Sequence, residues 1–215
     1  MKDASDRLIP KLQSLLAARL IKLSLNAKQS QLDFAAELKI EGNTDSLLGQ
    51  AFTIRGSNPV KTLDRKIFNQ IPQGTSFQFK ISNLGNEDLY VAILIINPDS
   101  ETQFLLPIKG TFEESLKLKS KEVRLFPIYD VDNFRYRANE KGVGEVLILA
   151  SKSPLKSTVQ RVISAERSNT PSVLDGVDGF FDDFTNARAL RTKQTQGKQV
   201  YTSEIAALSI TFQVV

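Results

Sequence analysis

NEDLYVAILIINPDSETQFLLPI, Asn86 to Ile108, is the stretch whose reading decides the fold. Leu89 to Ile96 is an unbroken apolar run, Asn97-Pro98-Asp99-Ser100 is a turn sequence, and Phe104 to Ile108 is largely apolar again. The first run falls far short of the roughly 20 residues needed to cross a bilayer as a helix. Proline flanked by Asn, Asp and Ser suits a tight β-turn. The spacing therefore predicts a hairpin, with Leu89–Ile96 folded back along residues 104–108. A strand with no polar face has to be covered on both sides.

Working outward, Glu145 to Ala150 (EVLILA) is a second continuous apolar run of the same kind. Other segments alternate instead. Leu32, Phe34, Ala36, Leu38 and Ile40 alternate with polar or small neighbours. Phe77, Phe79 and Ile81 are set against Gln78, Lys80 and Ser82, and Leu116 and Leu118 against Lys117 and Lys119. Leu208, Ile210, Phe212 and Val214 close the chain in the same way. Period two with one polar face marks a half-buried strand. One-sided strands around two fully covered ones, separated by Gly, Asn, Asp and Pro turns, predict antiparallel sheets or a sandwich.

Helices are the expected cover for the two-sided strands. Residues 8–25 carry a stripe of Leu8, Leu12, Leu15, Leu16, Leu20 and Leu23 at helical spacing, with Lys11, Arg19 and Lys22 elsewhere. Such a stripe docks on a core or a neighbouring domain more often than on a membrane. Ser153-Pro154 reads as an N-cap followed by proline at the first helical position. A further helix is expected within Val173–Leu190, although Gly176 and Gly179 weaken it. The predicted fold is thus mainly β with flanking helices: β-sandwich-like antiparallel sheets, an N-terminal amphipathic helix, and one or two helices between the last strands. Residues 1–28 are read as that helix or a connector, and 29–215 as a single β-rich domain.

Composition narrows the chemistry. The chain of 215 residues contains no cysteine and no histidine. Disulfides and thiolate metal sites are excluded, and zinc, copper and iron lose their preferred ligands. Cys–His and Ser–His–Asp catalysis is excluded because no imidazole is present to accept a proton. No catalytic, cofactor-binding or metal-binding residues are assigned, and no cofactor is expected. The net charge of +4 is dispersed among acids, so no nucleic-acid partner is expected. No apolar run is long enough for a membrane span, and Lys11, Arg19 and Lys22 interrupt any secretory signal core. A cytoplasmic address is expected.

Four local patterns have plainer explanations than their chemical ones. Ser153-Pro154-Leu155-Lys156 matches the S-x-x-K of serine–lysine acyl transferases, but the companion S-D-N and K-T-G motifs are missing. The acids Asp175, Asp178, Asp182 and Asp183 do not follow the EF-hand loop and read as solvated residues of a helix start. Gly142 and Gly144 precede a strand rather than a helix, the wrong order for a phosphate loop; they are expected to shape the turn into residues 145–150. Tyr129, Phe134 and Tyr136 beside Arg135 and Arg137 offer stacking to a ligand, yet a loop or edge strand is the commoner origin of such a cluster.

Several segments together carry a family likeness: Asp88-Leu-Tyr90-Val-Ala-Ile-Leu94, Leu105-Leu-Pro107, Val123-Arg-Leu-Phe-Pro127, Gly142 to Ser151 with Ser153-Pro154-Leu155, and Ala206 to Phe212. In this order, and with Arg7 to Leu20 opening the region, they resemble the uncharacterised domain that follows the caspase-like peptidase domain in many cyanobacterial proteins. The Leu106-Pro107 pair departs from the Phe-Pro expected there. The resemblance implies a peptidase half with a His–Cys dyad, and this chain has neither residue. It is therefore expected to be the C-terminal part of such a protein or a stand-alone relative. On either footing the resemblance implies a non-catalytic accessory or regulatory domain. Its partner would be a protein, a peptide, or a caspase-like peptidase domain, in the same chain or another. A stand-alone ligand- or envelope-sensing β-sandwich is the alternative, and a Ser–Lys or carboxylate hydrolase the third reading.

Overall fold

The computed structural model describes residues 30–43, 45–53, 70–99, 102–106, 117–128, 132, 134–155 and 204–215. Among them the strands are β1 (Phe34–Ile40), β2 (Gly49–Phe52), β3 (Gln70–Ile71), β4 (Ser76–Asn83), β5 (Leu89–Ile96), β6 (Thr102–Leu106), β7 (Lys117–Leu118), β8 (Val123–Phe126), β9 (Tyr136–Arg137), β10 (Gly142–Ser151) and β11 (Ile205–Val214). They form two sheets. The first runs β2-β1-β4-β8, with β9 also on β4; the second runs β3-β11-β10-β5-β6, with β7 also on β5. Every pairing is antiparallel except β3 with β11.

The two patterns of hydrophobicity separate cleanly between the sheets. In the first sheet Phe34, Ala36 and Leu38 of β1 lie beside Phe79 and Ile81 of β4 and are buried, while Glu37, Lys39 and Lys80 occupy the opposite face. In the second sheet the inner face presents Val91, Ile93, Ile95, Val146, Ile148, Leu208, Ile210 and Phe212. Its outer face is sequestered too, with Ala92, Leu94, Leu147 and Leu149 at 0% exposure. The inner faces share one core. Phe77 of the first sheet meets Phe212 of the second with ring centroids 5.6 Å apart, a separation at which aromatic pairs attract beyond their burial.

The opening hairpin forms, with its return strand starting at Thr102, two residues earlier than expected, and with residues 107–108 outside the described ones. β5 spans Leu89–Ile96 and β6 returns along it, through Ile93↔Leu106 and Ile96↔Thr102 with one register shift. Two expectations need correction. Gly142 and Gly144 belong to β10 itself, which begins three residues before the apolar run. Close approach explains both: a Cβ on Gly142, at φ +132, would lie 2.9 Å from Pro98, and one on Gly144 only 2.3 Å from the Phe212 ring. β4 is also less one-sided than its alternation implies, because Gln78 and Ser82 are each only 7% exposed. It lies between β1 and β8, with Gln78 opposite Lys39 and Ser82 flanked by Ala35 and Val123.

Helix is all but absent from the described residues. Ser153 to Leu155 is irregular, so no helix starts at Pro154; the Ser153 amide instead donates to Ser151 Oγ at 3.0 Å. The expected helices over 8–25 and 173–190, and the rest of the segment after Leu155, lie outside the described residues.

Candidate functional site

Strand β5 connects the two ends of the body, and an open cleft lies at each. At its C-terminal end a cleft of about 360 Å³ is lined by the Asn97-Pro98 turn, Gln103 of β6, residues 135–140, and Phe212 and Val214 of β11. Tyr136 organises it. The register Phe77↔Tyr136 brings β9 onto β4 and lays the Tyr136 ring on Phe77, centroids 4.7 Å apart. Its hydroxyl reaches the other sheet and donates to Asn97 Oδ1. Burial pushes the phenol up to about 12, the Asn97 bond opposes this, and the negative charges of Asp99 and Glu140 add to it. At neutral pH Tyr136 is therefore a fixed, uncharged donor that ties the first sheet to the β5–β6 turn.

Around this tie the wall is built from hydrogen-bonding side chains. Arg135 Nε donates to Glu41 Oε1 at 3.0 Å, and Gln73 Nε2 donates to the Asn139 carbonyl at 2.7 Å. Arg137 stands exposed on the edge strand β9. Among the described residues the lining offers guanidinium and amide groups and a single carboxylate, Glu140, with no serine, threonine, lysine or aspartate. Such a wall can orient a polar ligand or a peptide, and among the described residues it holds neither a nucleophile nor a second carboxylate for acid–base work.

The second cleft, about 400 Å³, lies at the N-terminal end of β5, between residues 31–33 and 83–87, with Lys121 and Lys152 on its rim. Asn83, 1% exposed, holds it together. Its Nδ2 donates to the carbonyls of Glu87 (2.7 Å), Leu118 (3.2 Å) and Lys119 (2.9 Å), and its Oδ1 accepts from the Gly85 amide (3.1 Å). Beside it Asp88 pairs with Lys117 at 2.9 Å and accepts from the Ser120 amide at 2.9 Å. The Lys117 bond, followed by the Ser120 amide, holds the Asp88 carboxyl below its usual range.

Of the residues singled out in the sequence, Arg135, Tyr136 and Arg137 meet at the first cleft. Their aromatic neighbours serve the core: Phe134 packs on Phe126 at 5.6 Å and Tyr136 on Phe77. Tyr136 and Arg137 thus lie on the short edge strand expected for this cluster. Ser153 and the glycines take the structural places described above, while Lys156, Tyr129 and Asp175 to Asp183 lie outside the described residues. Among the described residues no three His, Cys, Asp or Glu side chains group closely enough to hold a metal ion. Sequence reasoning missed Asn83, Asn97 and Gln103. Asn97 is visible in the sequence only as a turn former, and nothing in the local pattern marks Asn83 or Gln103.

Residues 70–154 match the family model described as a domain of unknown function, DUF4384. The matched span is less than half of the chain. It runs from β3 past the end of β10 and includes the 135–140 wall of the first cleft and Asn83 of the second. No curated protein and no solved structure matches the chain.

Proposed function

We propose that this chain is a non-catalytic accessory domain that binds a protein or peptide partner through the first cleft, and that the partner is a caspase-like cysteine peptidase domain. The observation that carries the binding role is the lining of that cleft: Arg137, Gln103, Asn97 and Asn139 converge on it, with no nucleophile among the described residues. The absence of cysteine and histidine from the whole sequence supports a non-catalytic role. The peptidase link rests on the ordered sequence resemblance alone, since the DUF4384 family carries no assigned activity. In this reading the domain positions or restrains the peptidase in the cytosol.

The test adds purified chain to a caspase-like peptidase domain and follows peptide cleavage together with sedimentation of the mixture. A saturable change in cleavage rate, or a complex, is expected, and Arg137→Glu should abolish it. Neither a complex nor a rate change would sink the proposal. The second reading, a stand-alone ligand-sensing module, is favoured by the volume of the cleft, which falls within the roughly 300–1,000 Å³ range of small-molecule sites. It predicts a concentration-dependent rise in melting temperature with a small polar ligand, lost in Gln103→Ala.

A further inference from the structure

Among the described residues, one margin of the first sheet is a strand with half of its peptide groups turned outward. β8 ends the sheet order and pairs with β4 through Phe79↔Phe126, Lys80↔Leu125, Ile81↔Arg124 and Ser82↔Val123. The Asn83 amide donates to the Glu122 carbonyl at 2.9 Å. Bonded and non-bonded pairs alternate along an antiparallel ladder. The peptide groups of Arg124 and Phe126 therefore face β4, and those of Val123 and Leu125 face away from it. Among the described residues neither Val123 nor Leu125 makes a backbone hydrogen bond outside the sheet. Val123 and Leu84 are also unusually open for apolar residues, at 53% and 42% exposure. The register puts Val123 opposite Ser82 and Leu125 opposite Lys80, on the outer face of the sheet.

An open edge with outward N–H and C=O groups accepts an added strand. Charge then decides which strand. Residues 117–125 set Lys117, Lys119, Lys121 and Arg124 against the single acid Glu122. Lys117 is paired with Asp88 at 2.9 Å and Arg124 with Glu122 at 2.8 Å. Lys119 and Lys121 stand exposed on the turn that leads into β8, the latter with Nζ on the Leu84 carbonyl. On the adjoining face Lys39 and Lys80 share one carboxylate, Glu37, at 3.2 and 3.0 Å. A second copy of this chain laid edge to edge would bring lysines against lysines, the usual defence of a natural edge against self-association. An extended segment carrying Asp or Glu meets the opposite field.

We infer that the β8 edge binds an extended acidic peptide by strand addition. The peptide's backbone bonds to Val123 and Leu125, its small apolar side chains lie beside Val123, and its carboxylates meet Lys119 and Lys121. The inference rests on the reading of the chain as a binding module, and it names the chemistry of the partner.

The test uses the full chain and a short fluorescent peptide alternating glutamate with valine and threonine, followed by anisotropy. Val123→Pro removes an outward N–H while leaving the bonds to β4 in place; Lys119→Glu reverses the field at an exposed side chain whose charge also favours the Asp88 and Glu122 carboxylates, so its melting curve is compared with wild type as well. The peptide should bind, and each variant should weaken it by about tenfold or more. The same peptide with lysine for glutamate, or N-methylated at alternate amides, should bind comparably weakly. Unchanged binding in Lys119→Glu, equal binding of both charge forms, or no binding at all overturns the inference. A wild-type dimer in sedimentation that Val123→Pro dissolves overturns it in favour of a second copy. Because Val123→Pro is judged only if its melting curve stays cooperative, Lys119→Glu keeps the test decisive. A peptidase complex without peptide binding would defeat strand addition and leave the binding-module reading standing. Peptide binding without a peptidase complex would do the reverse for the proposed partner.

Discussion

Replacing Gly144 by alanine drives a methyl group into the ring that joins the two sheets. The new Cβ would lie 2.3, 2.7 and 3.0 Å from Cζ, Cε2 and Cε1 of Phe212, where non-bonded carbons prefer about 3.5–4.0 Å. The ring has little room to retreat. Phe212 is 3% exposed and packs at 5.6 Å on Phe77, which is itself braced by Tyr136 at 4.7 Å and Phe79 at 5.8 Å. Overpacking of this kind costs about 1–3 kcal/mol. Alanine recovers about 0.4–1 kcal/mol by restricting the unfolded chain, and Gly144 is not held at a positive φ that would forbid this. The balance is a loss of about 1–2 kcal/mol, or roughly 2–8 °C in melting temperature for a chain of this size. Phe212→Leu alone also destabilises, but it clears the space that alanine needs. The double variant should therefore be more stable than the sum of the singles predicts, by about 1 kcal/mol. Urea and thermal melts of the four proteins measure this. A neutral Gly144→Ala, or strict additivity, would refute the packing argument.

Two further outcomes follow from the buried polar contacts. Asn83→Ala removes four hydrogen bonds from a residue 1% exposed and strands backbone groups that the amide satisfied; a loss of about 2–4 kcal/mol is expected, with faster hydrogen exchange at the Gly85 amide, and a urea midpoint within error of wild type would contradict it. Burial pushes the Glu37 carboxyl up, but hydrogen bonds and charge from Lys80 and Lys39 outweigh this and hold it below the ordinary glutamate value; its folded value is thus below its unfolded one, and its contribution is complete above the ordinary glutamate range and lost as pH falls through the folded value. The melting-temperature gap between wild type and Glu37→Gln should accordingly be widest near neutral pH and close in acid, and a gap that widens in acid would reverse the sign of the argument.

The division between the two sheets is legible in the sequence, because a side chain's face follows from period two alone. Leu89–Ile96 and Glu145–Ala150, whose continuous apolar character calls for cover on both sides, are neighbours at the centre of the second sheet. Phe34–Ile40, one-sided by its alternation, keeps Glu37 and Lys39 outward. Short edge elements escape, since a two-residue strand such as β9 has no period to detect. The glycines mislead for a related reason. A turn and a close approach both demand Gly, and only the position of Phe212, far along the chain, distinguishes them. Asn97 and half of the Asn83 contacts act through partners brought together by the fold, Tyr136 for the one and Leu118 and Lys119 for the other, so those roles are not written into their neighbours.

The contrast between the sheets also limits where a partner can sit. The outer face of the second sheet is sequestered at Ala92, Leu94, Leu147 and Leu149, and both inner faces form the core. The polar face of the first sheet and its β8 margin stay open among the described residues, together with the clefts. Phe77 pairs with Ile40 on one side and Tyr136 on the other, so β9 lies on the same side of β4 as β8. The Arg137 wall of the first cleft and the outward peptide groups of Val123 and Leu125 therefore belong to one margin. In the proposed reading, the groups that add backbone affinity and those that select acidic side chains lie along a single line, which suits an extended partner better than a compact ligand.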